Sequence, residues 1–182
     1  MNIVGISGSL REGSLNTLLL RNASRLLPNE VNYQEADINL PMYTGNENRN
    51  DAPEKVMVLR ELVGNADALI ITCPEYNWNM TVAMKNAIDW LSLGGSESPL
   101  NFHVAAIAGV GGGRLGSVRA QMSVRSTLLH NKVWIVPGPE VLIAPADDTF
   151  NSDGELTDPF ALGLLQQVLD ELVRVAPTLR KK

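Results

Sequence analysis

A single cysteine, Cys73, rules out an internal disulfide, and with only His103 and His130 beside it no Cys/His zinc centre or other metal site is expected. No apolar run approaches the roughly 20 residues that a membrane span needs. Positive charge is scarce: 15 Lys and Arg against 20 Asp and Glu leave a net charge of −5, with no basic footprint for nucleic acid. The first apolar run begins at the second residue, which leaves no room for a secretion signal, so a cytoplasmic location is expected. Internal repeats and low-complexity segments are absent. So are the lysine of a Walker A loop and the three spaced glycines of a dinucleotide fingerprint.

What remains is an ordinary mixture, 45% hydrophobic and 19% charged, in 182 residues. That length suits one domain over residues 1–182, large enough to bury a core without staples. Apolar runs alternate with helical periodicity, the pattern of a parallel sheet. Strands are expected at 2–6, 31–36, 68–72, 104–108 and 133–136. The second alternates apolar and polar residues and suits a sheet edge. Helices follow from Ser14, from Pro53, over Thr81–Leu91, over about 115–129 and at the C-terminal end. The helix at 115–129 is read with Leu115, Val118, Met122 and Leu129 inward. Residues 37–50 and the Pro- and Gly-containing stretch after strand five read as loops. Five strands each followed by a helix give an α/β, flavodoxin-like three-layer sandwich: a five-stranded parallel sheet of order 2-1-3-4-5 with helices on both faces. Ligands bind such sheets beyond the carboxyl ends of the strands, where the crossovers reverse. The loops after strands one, three and four are therefore expected to line one pocket.

Each of those loops has unusual chemistry. Gly8-Ser9-Leu10-Arg11-Glu12-Gly13-Ser14-Leu15-Asn16 joins strand one to its helix. The free amides and partial positive charge of a helix start favour a phosphate, and a single one is expected here. The hydroxyls of Ser7, Ser9 and Ser14, the Asn16 amide and the Arg11 charge complete a cradle. Ser14 is equally a preferred helix cap, and the two roles are compatible. After strand three, Cys73-Pro74-Glu75-Tyr76-Asn77-Trp78-Asn79-Met80 mixes polar and aromatic groups, as a flat heteroaromatic ligand requires. The alternative is a surface turn whose Tyr76 and Trp78 pack on the sheet or at a dimer contact. Gly111-Gly112-Gly113-Arg114 lets backbone lie flat against a ligand, or forms a flexible turn.

Other candidates are plain. Cys73 reads as a small buried hydrophobe. Lys85 and Asp89 read as a solvated ion pair. His103 starts a strand and His130 ends a helix. Arg119, Arg125 and Arg174 read as helix surface. No nucleophile sits beside a base, so no side chain is assigned as a catalytic group.

Gly8–Asn16 resembles the G-S-L-R-x-x-S-x-N phosphate loop of the NAD(P)H-dependent FMN reductases, a family that includes quinone, azo-dye and chromate reductases. Pro74-Glu75-Tyr76-Asn77 with Lys85-Asn86-Ala87-Ile88-Asp89-Trp90 resembles its second signature. Gly113-Arg114-Leu115-Gly116 with Arg119 and Gln121 resembles its glycine segment. The resemblance covers residues 2 to about 176. It implies tightly held FMN, with Ser9, Leu10, Arg11, Ser14, Leu15 and Asn16 at the phosphate, Pro74, Glu75, Tyr76, Asn77 and Trp78 at the ring, and Gly111 and Gly112 approaching from the third loop. It also implies a dimer or tetramer, with Pro139-Glu140 near subunit contacts. One departure is Thr81-Val82, where the family carries Pro-Gly; another is the bulk of Trp78.

The function so implied is hydride passage from NADPH or NADH through FMN to a small acceptor: a quinone, azo compound, free flavin or metal oxyanion. The rival is a flavodoxin-type electron carrier that binds FMN without turning over nicotinamide; a scaffold that has lost flavin carries less weight. A response-regulator domain shares the sheet order but needs an acidic cluster after strand one, absent here. Met42, Tyr43 and Trp78 are expected to be exposed and to favour self-association.

Overall fold

The computed structural model describes residues 1–48, 51–144 and 149–180. The end of the expected 37–50 loop and part of the loop after strand five lie outside the described residues. The strands are β1 (Asn2–Ser7), β2 (Asn32–Ala36), β3 (Ala68–Thr72), β4 (Val104–Val110), β5 (Trp134–Ile135) and β6 (Val141–Ile143). The helices are α1 (Leu15–Arg25), α2 (Glu54–Gly64), α3 (Val82–Ser92), α4 (Val118–His130) and α5 (Pro159–Leu179).

Alternation along the central strands builds the three layers. Val4, Ile6, Leu69, Ile71, Ala105 and Ile107 pack with α2, α3 and α4, through Leu59, Val63, Met84, Ile88, Val124 and Leu128. Ile3, Ala68, Ile70, Val104, Ala106 and Ala108 pack on the other side with α1 and α5, through Leu19, Leu20, Leu165 and Leu172. Each such fully buried Leu or Ile contributes on the order of 2 kcal/mol. β3 is buried along its whole length, whereas β2 is mostly exposed at the sheet edge.

The sheet is parallel in the expected flavodoxin-like order, β2-β1-β3-β4-β5. Among the described residues it has six strands, not the expected five. Val104 and Ala105 pair with β5, and Ala108 to Val110 pair with β6 on the same edge. Pro137-Gly138-Pro139 divides this edge into two short strands, because proline cannot supply ladder N–H groups.

The expected inward face of α4 is also corrected. Leu115 lies before the helix, and Leu115, Met122 and Leu129 are exposed. The buried positions are Ala120, Gln121, Val124 and Leu128. Gln121 is drawn inward because its amide donates to Val141 O (2.9 Å) and Ser117 Oγ (3.2 Å). Hydrogen bonding and the small Ala120 set the rotation of the helix, against side-chain size.

The segment between β2 and α2 is fastened to α3. The Asn86 amide and the Trp90 indole N–H both donate to Pro41 O (3.0 and 2.8 Å), and Asn86 Oδ1 accepts from Tyr43 N–H (2.8 Å). Tyr43 meets Trp90 edge to face at 5.1 Å. Two residues of the Lys85–Trp90 segment thus hold a strap. Its Lys85 and Asp89 form the expected exposed ion pair at 2.6 Å.

Candidate functional site

The loop after β1 is organised by its own small polar groups. Ser7 Oγ pairs with Thr17 Oγ1 (2.9 Å) and accepts from Ser9 N–H (3.4 Å); Ser9 Oγ accepts from Arg11 N–H (3.3 Å). Gly13 turns the chain at φ +67°, a conformation that glycine adopts without strain. Ser14 caps α1, its oxygen accepting from Asn16 N–H (3.3 Å). Helix geometry leaves the remaining first-turn amides without intrahelical acceptors. Ser14 Oγ still carries a proton to donate.

Three long-range ties fix this loop to its neighbours. Asn16 is 3% exposed, and its carboxamide donates to Val110 O (2.8 Å) and accepts from Val110 N–H (3.1 Å). Thr72 Oγ1 donates to Asn16 O (2.8 Å). Thr81 Oγ1 donates to Gly8 O (2.5 Å) while accepting from Met84 N–H (3.1 Å) as the cap of α3. The Asn16 side chain, expected in a phosphate cradle, lines the crevice and uses one N–H and its carbonyl oxygen to join α1 to the end of β4. The departure at Thr81 gains a purpose, since proline there has no hydroxyl to bridge the loops after β1 and β3.

After β3 the chain makes a two-residue turn. Tyr76 N–H donates to Asn79 O (3.0 Å) and Asn79 N–H to Tyr76 O (3.1 Å). Asn77 and Trp78 both have positive φ, +49° and +67°. Such turns favour Asn followed by Gly, and a side chain in the left-handed region costs on the order of 1–2 kcal/mol. Trp78 occupies the glycine position. It is 74% exposed, with the Arg119 guanidinium 4.2 Å from its ring centroid. A cation over an exposed aromatic ring contributes on the order of 1 kcal/mol, which offsets part of that strain.

Arg119 is anchored in turn by Glu75, whose carboxylate accepts from Arg119 N–H (2.8 Å) and Nη1 (2.7 Å). Burial acts to raise the Glu75 carboxyl, but the hydrogen bonds and charge of Arg119 outweigh it and hold the group below the usual carboxylate range. The expectation that Arg119 is plain helix surface is therefore corrected. Arg125 is corrected too: it is partly buried, which lowers its guanidinium, against the opposing field of Glu140. Arg174 is exposed and pairs with Glu171, as its sequence context implies. An acidic residue in a strand-end loop needs a cation, and that signal could have singled out Arg119.

The three loops meet in a crevice of about 180 Å³ lined by Arg11, Ser14, Leu15, Asn16, Pro74, Glu75, Tyr76, Val110, Gly111 and Gly112. A larger hollow of about 490 Å³ lies on the β2 side of the first loop and includes Ser9 and Leu10; Arg11 and Ser14 border both. Convergence, not size, decides between them, because only the smaller space is walled by all three loops. Asn77 lines a third hollow that shares Tyr76 with it, and the exposed Trp78 lines neither.

The donors suit a phosphate ester bearing a flat ring. A guanidinium, a hydroxyl and a helix start lie at one end, and its one lining carboxylate, Glu75, is already paired. At the other end a side chain at Gly112 would project into open space, so its absence keeps that wall low. Beneath, Cys73 is fully buried, its thiol pushed up to about 11 by burial, so it is not a reactive thiolate.

The profile of the NADPH-dependent FMN reductase family matches residues 1–148. An NAD(P)H-dependent FMN reductase of Pseudomonas aeruginosa is 40% identical over 173 residues, covering 94% of this chain and 93% of that protein. A quinone reductase of Escherichia coli is 31% identical over 145 residues, covering 78% of this chain and 77% of that protein. The solved structure of the flavoenzyme NAD(P)H:(acceptor) oxidoreductase FerB from Paracoccus denitrificans superposes with a TM-score of 0.88, at 29% identity and over 98% of each chain.

Proposed function

The chain belongs to the NADPH-dependent FMN reductase family, and we propose that the three-loop crevice is where it holds FMN and serves its reaction. It is an FMN-dependent oxidoreductase that draws on NAD(P)H, of the quinone-reductase type. In net terms NAD(P)H, a proton and a quinone give NAD(P)⁺ and a hydroquinone, a transfer of two electrons. When bound, FMN supplies the redox chemistry, and the protein supplies position, charge and shielding.

Arg11, the Ser14 hydroxyl and the amides at the start of α1 bind the phosphate, with Ser9 and Leu10 shaping the loop around it. Leu15 lies beside the phosphate, and Pro74, Tyr76, Gly111 and Gly112 border the ring. Asn16 and Glu75 act as positioning residues, the first through Val110 and the second through Arg119. Residues 1–182 act as one domain in the cytoplasm. The exposed Val82, Met122 and Leu129 on α3 and α4 favour a homodimer or homotetramer.

The observation that carries this reading is the crevice walled by all three loops. Purified protein mixed with FMN should show a bound-flavin spectrum between 300 and 500 nm and oxidise NADPH when a quinone is added. FMN uptake without NADPH consumption would make the protein an electron carrier; no uptake would remove the reading altogether.

A further inference from the structure

Trp78 carries three features that the crevice does not explain: a side chain at a turn position suited to glycine, an indole left 74% exposed, and a guanidinium fixed over its ring. Trp78 belongs to the loop whose Pro74, Glu75 and Tyr76 wall the crevice, and strain kept in such a loop and held by a built support marks a functional position. The support is layered, since Glu75 fixes Arg119 through two hydrogen bonds and Arg119 in turn fixes the indole.

Charge around the turn narrows the ligand. The Arg119 charge is met by Glu75 at 2.7 Å, and Lys85, in the hollow that Tyr76 and Asn77 also line, is met by Asp89 at 2.6 Å. A metal oxyanion or other anionic acceptor needs unpaired positive charge. A neutral planar ring needs an immobile aromatic face.

Resting on the proposed function, the geometry points to Trp78 as the residue that selects the electron acceptor, stacking a neutral planar carbonyl-bearing aromatic such as a naphthoquinone and disfavouring anionic acceptors that lack a flat face. Arg119 is the positioning residue for that indole, and Glu75 neutralises the cation.

The test compares initial rates of NADPH oxidation by the FMN-loaded enzyme with menadione and with ferricyanide. Menadione takes two electrons and two protons per NADPH-derived pair; ferricyanide, an anion, takes one electron and is consumed two per NADPH. Trp78→Gly should lower the ratio of kcat/KM for menadione to that for ferricyanide about tenfold, chiefly through the KM for menadione. Trp78→Phe, which keeps a ring, should restore the ratio to within about threefold. Glu75→Gln should raise kcat/KM for ferricyanide severalfold by leaving Arg119 unneutralised.

A readout free of turnover is calorimetric titration with carbostyril, a planar bicyclic carbonyl compound that does not accept electrons here. The holoenzyme should bind it, and Trp78→Gly should weaken that binding about tenfold. An unchanged menadione-to-ferricyanide ratio in Trp78→Gly with normal FMN uptake overturns this inference alone. So does a change in sedimentation without a change in the ratio, which would make Trp78 a subunit contact. Wild-type protein that takes up no FMN overturns the proposed function and this inference together.

Discussion

Asn16 and Val110 are joined by a reciprocal pair of hydrogen bonds in which a side-chain carboxamide completes both backbone groups of a residue at the end of a neighbouring strand. This places the start of α1 at a fixed height above β4. Asn16→Ala strands a buried N–H and a buried carbonyl, each costing about 1–3 kcal/mol. Asn16→Asp should be worse, because a carboxylate cannot donate to Val110 O. Urea denaturation should show both losses, and FMN should bind more weakly to Asn16→Ala although no contact with the phosphate has been removed. Undiminished FMN affinity in a destabilised Asn16→Ala protein would show that the height of α1 is irrelevant to binding.

In the proposed site, Arg11 separates recognition of the phosphate from recognition of the ring. A charge-assisted hydrogen bond contributes about 1.5–3 kcal/mol. Arg11→Gln should therefore weaken FMN binding by roughly one to two orders of magnitude while leaving riboflavin affinity within about twofold. Flavin fluorescence titrations measure both. Equal losses for the two ligands would move the phosphate away from this loop.

Thr81 both caps a helix and ties two loops, and its substitutions should divide accordingly. Thr81→Ser keeps both hydrogen bonds and should be nearly neutral. Thr81→Val loses the cap and leaves Gly8 O without its donor, together costing about 2–3 kcal/mol. Chemical denaturation of the pair checks this; equal stability of the two variants would refute the tie.

His103 gives the fold a defined acid response. Burial, chiefly, and the nearby charge of Arg180 lower its imidazole to about 4 from an ordinary value near 6.5. The folded protein then refuses a proton that the unfolded chain accepts. Above pH 6.5 neither state is protonated and the group contributes no penalty. Stability falls as pH drops through 6.5 towards 4, by roughly 1.4 kcal/mol per unit, and levels off below. Between pH 7.5 and 4.5, His103→Leu should lose roughly 2–3 kcal/mol less than wild type in urea melts. A difference between the two proteins that stays constant with pH would contradict this.

How much of this was legible in the sequence follows from what each residue responds to. The uninterrupted apolar runs of β3 and β4 and the glycine- and serine-rich loop after β1 are local signals, so the sheet order and the meeting of the three loops could be read directly. The face of α4 could not, because Gln121 turns inward for hydrogen-bond partners on Ser117 and β6 that sequence spacing does not reveal. The sixth strand was hidden by its brevity and the prolines before it. Asn16, Thr81 and Arg119 are polar residues whose roles depend on partners 94, 73 and 44 positions away, beyond any periodicity.

Those separations also bear on how the binding site comes into being. Loops brought together across such chain distances close slowly compared with local turns, because the entropy of ordering the intervening segments must be overcome first. A nascent chain that has not yet added Val110 to the growing sheet has the loop after β1 but no second wall, so cofactor capture at the proposed site is expected to follow assembly of β1, β3 and β4, and not to template it.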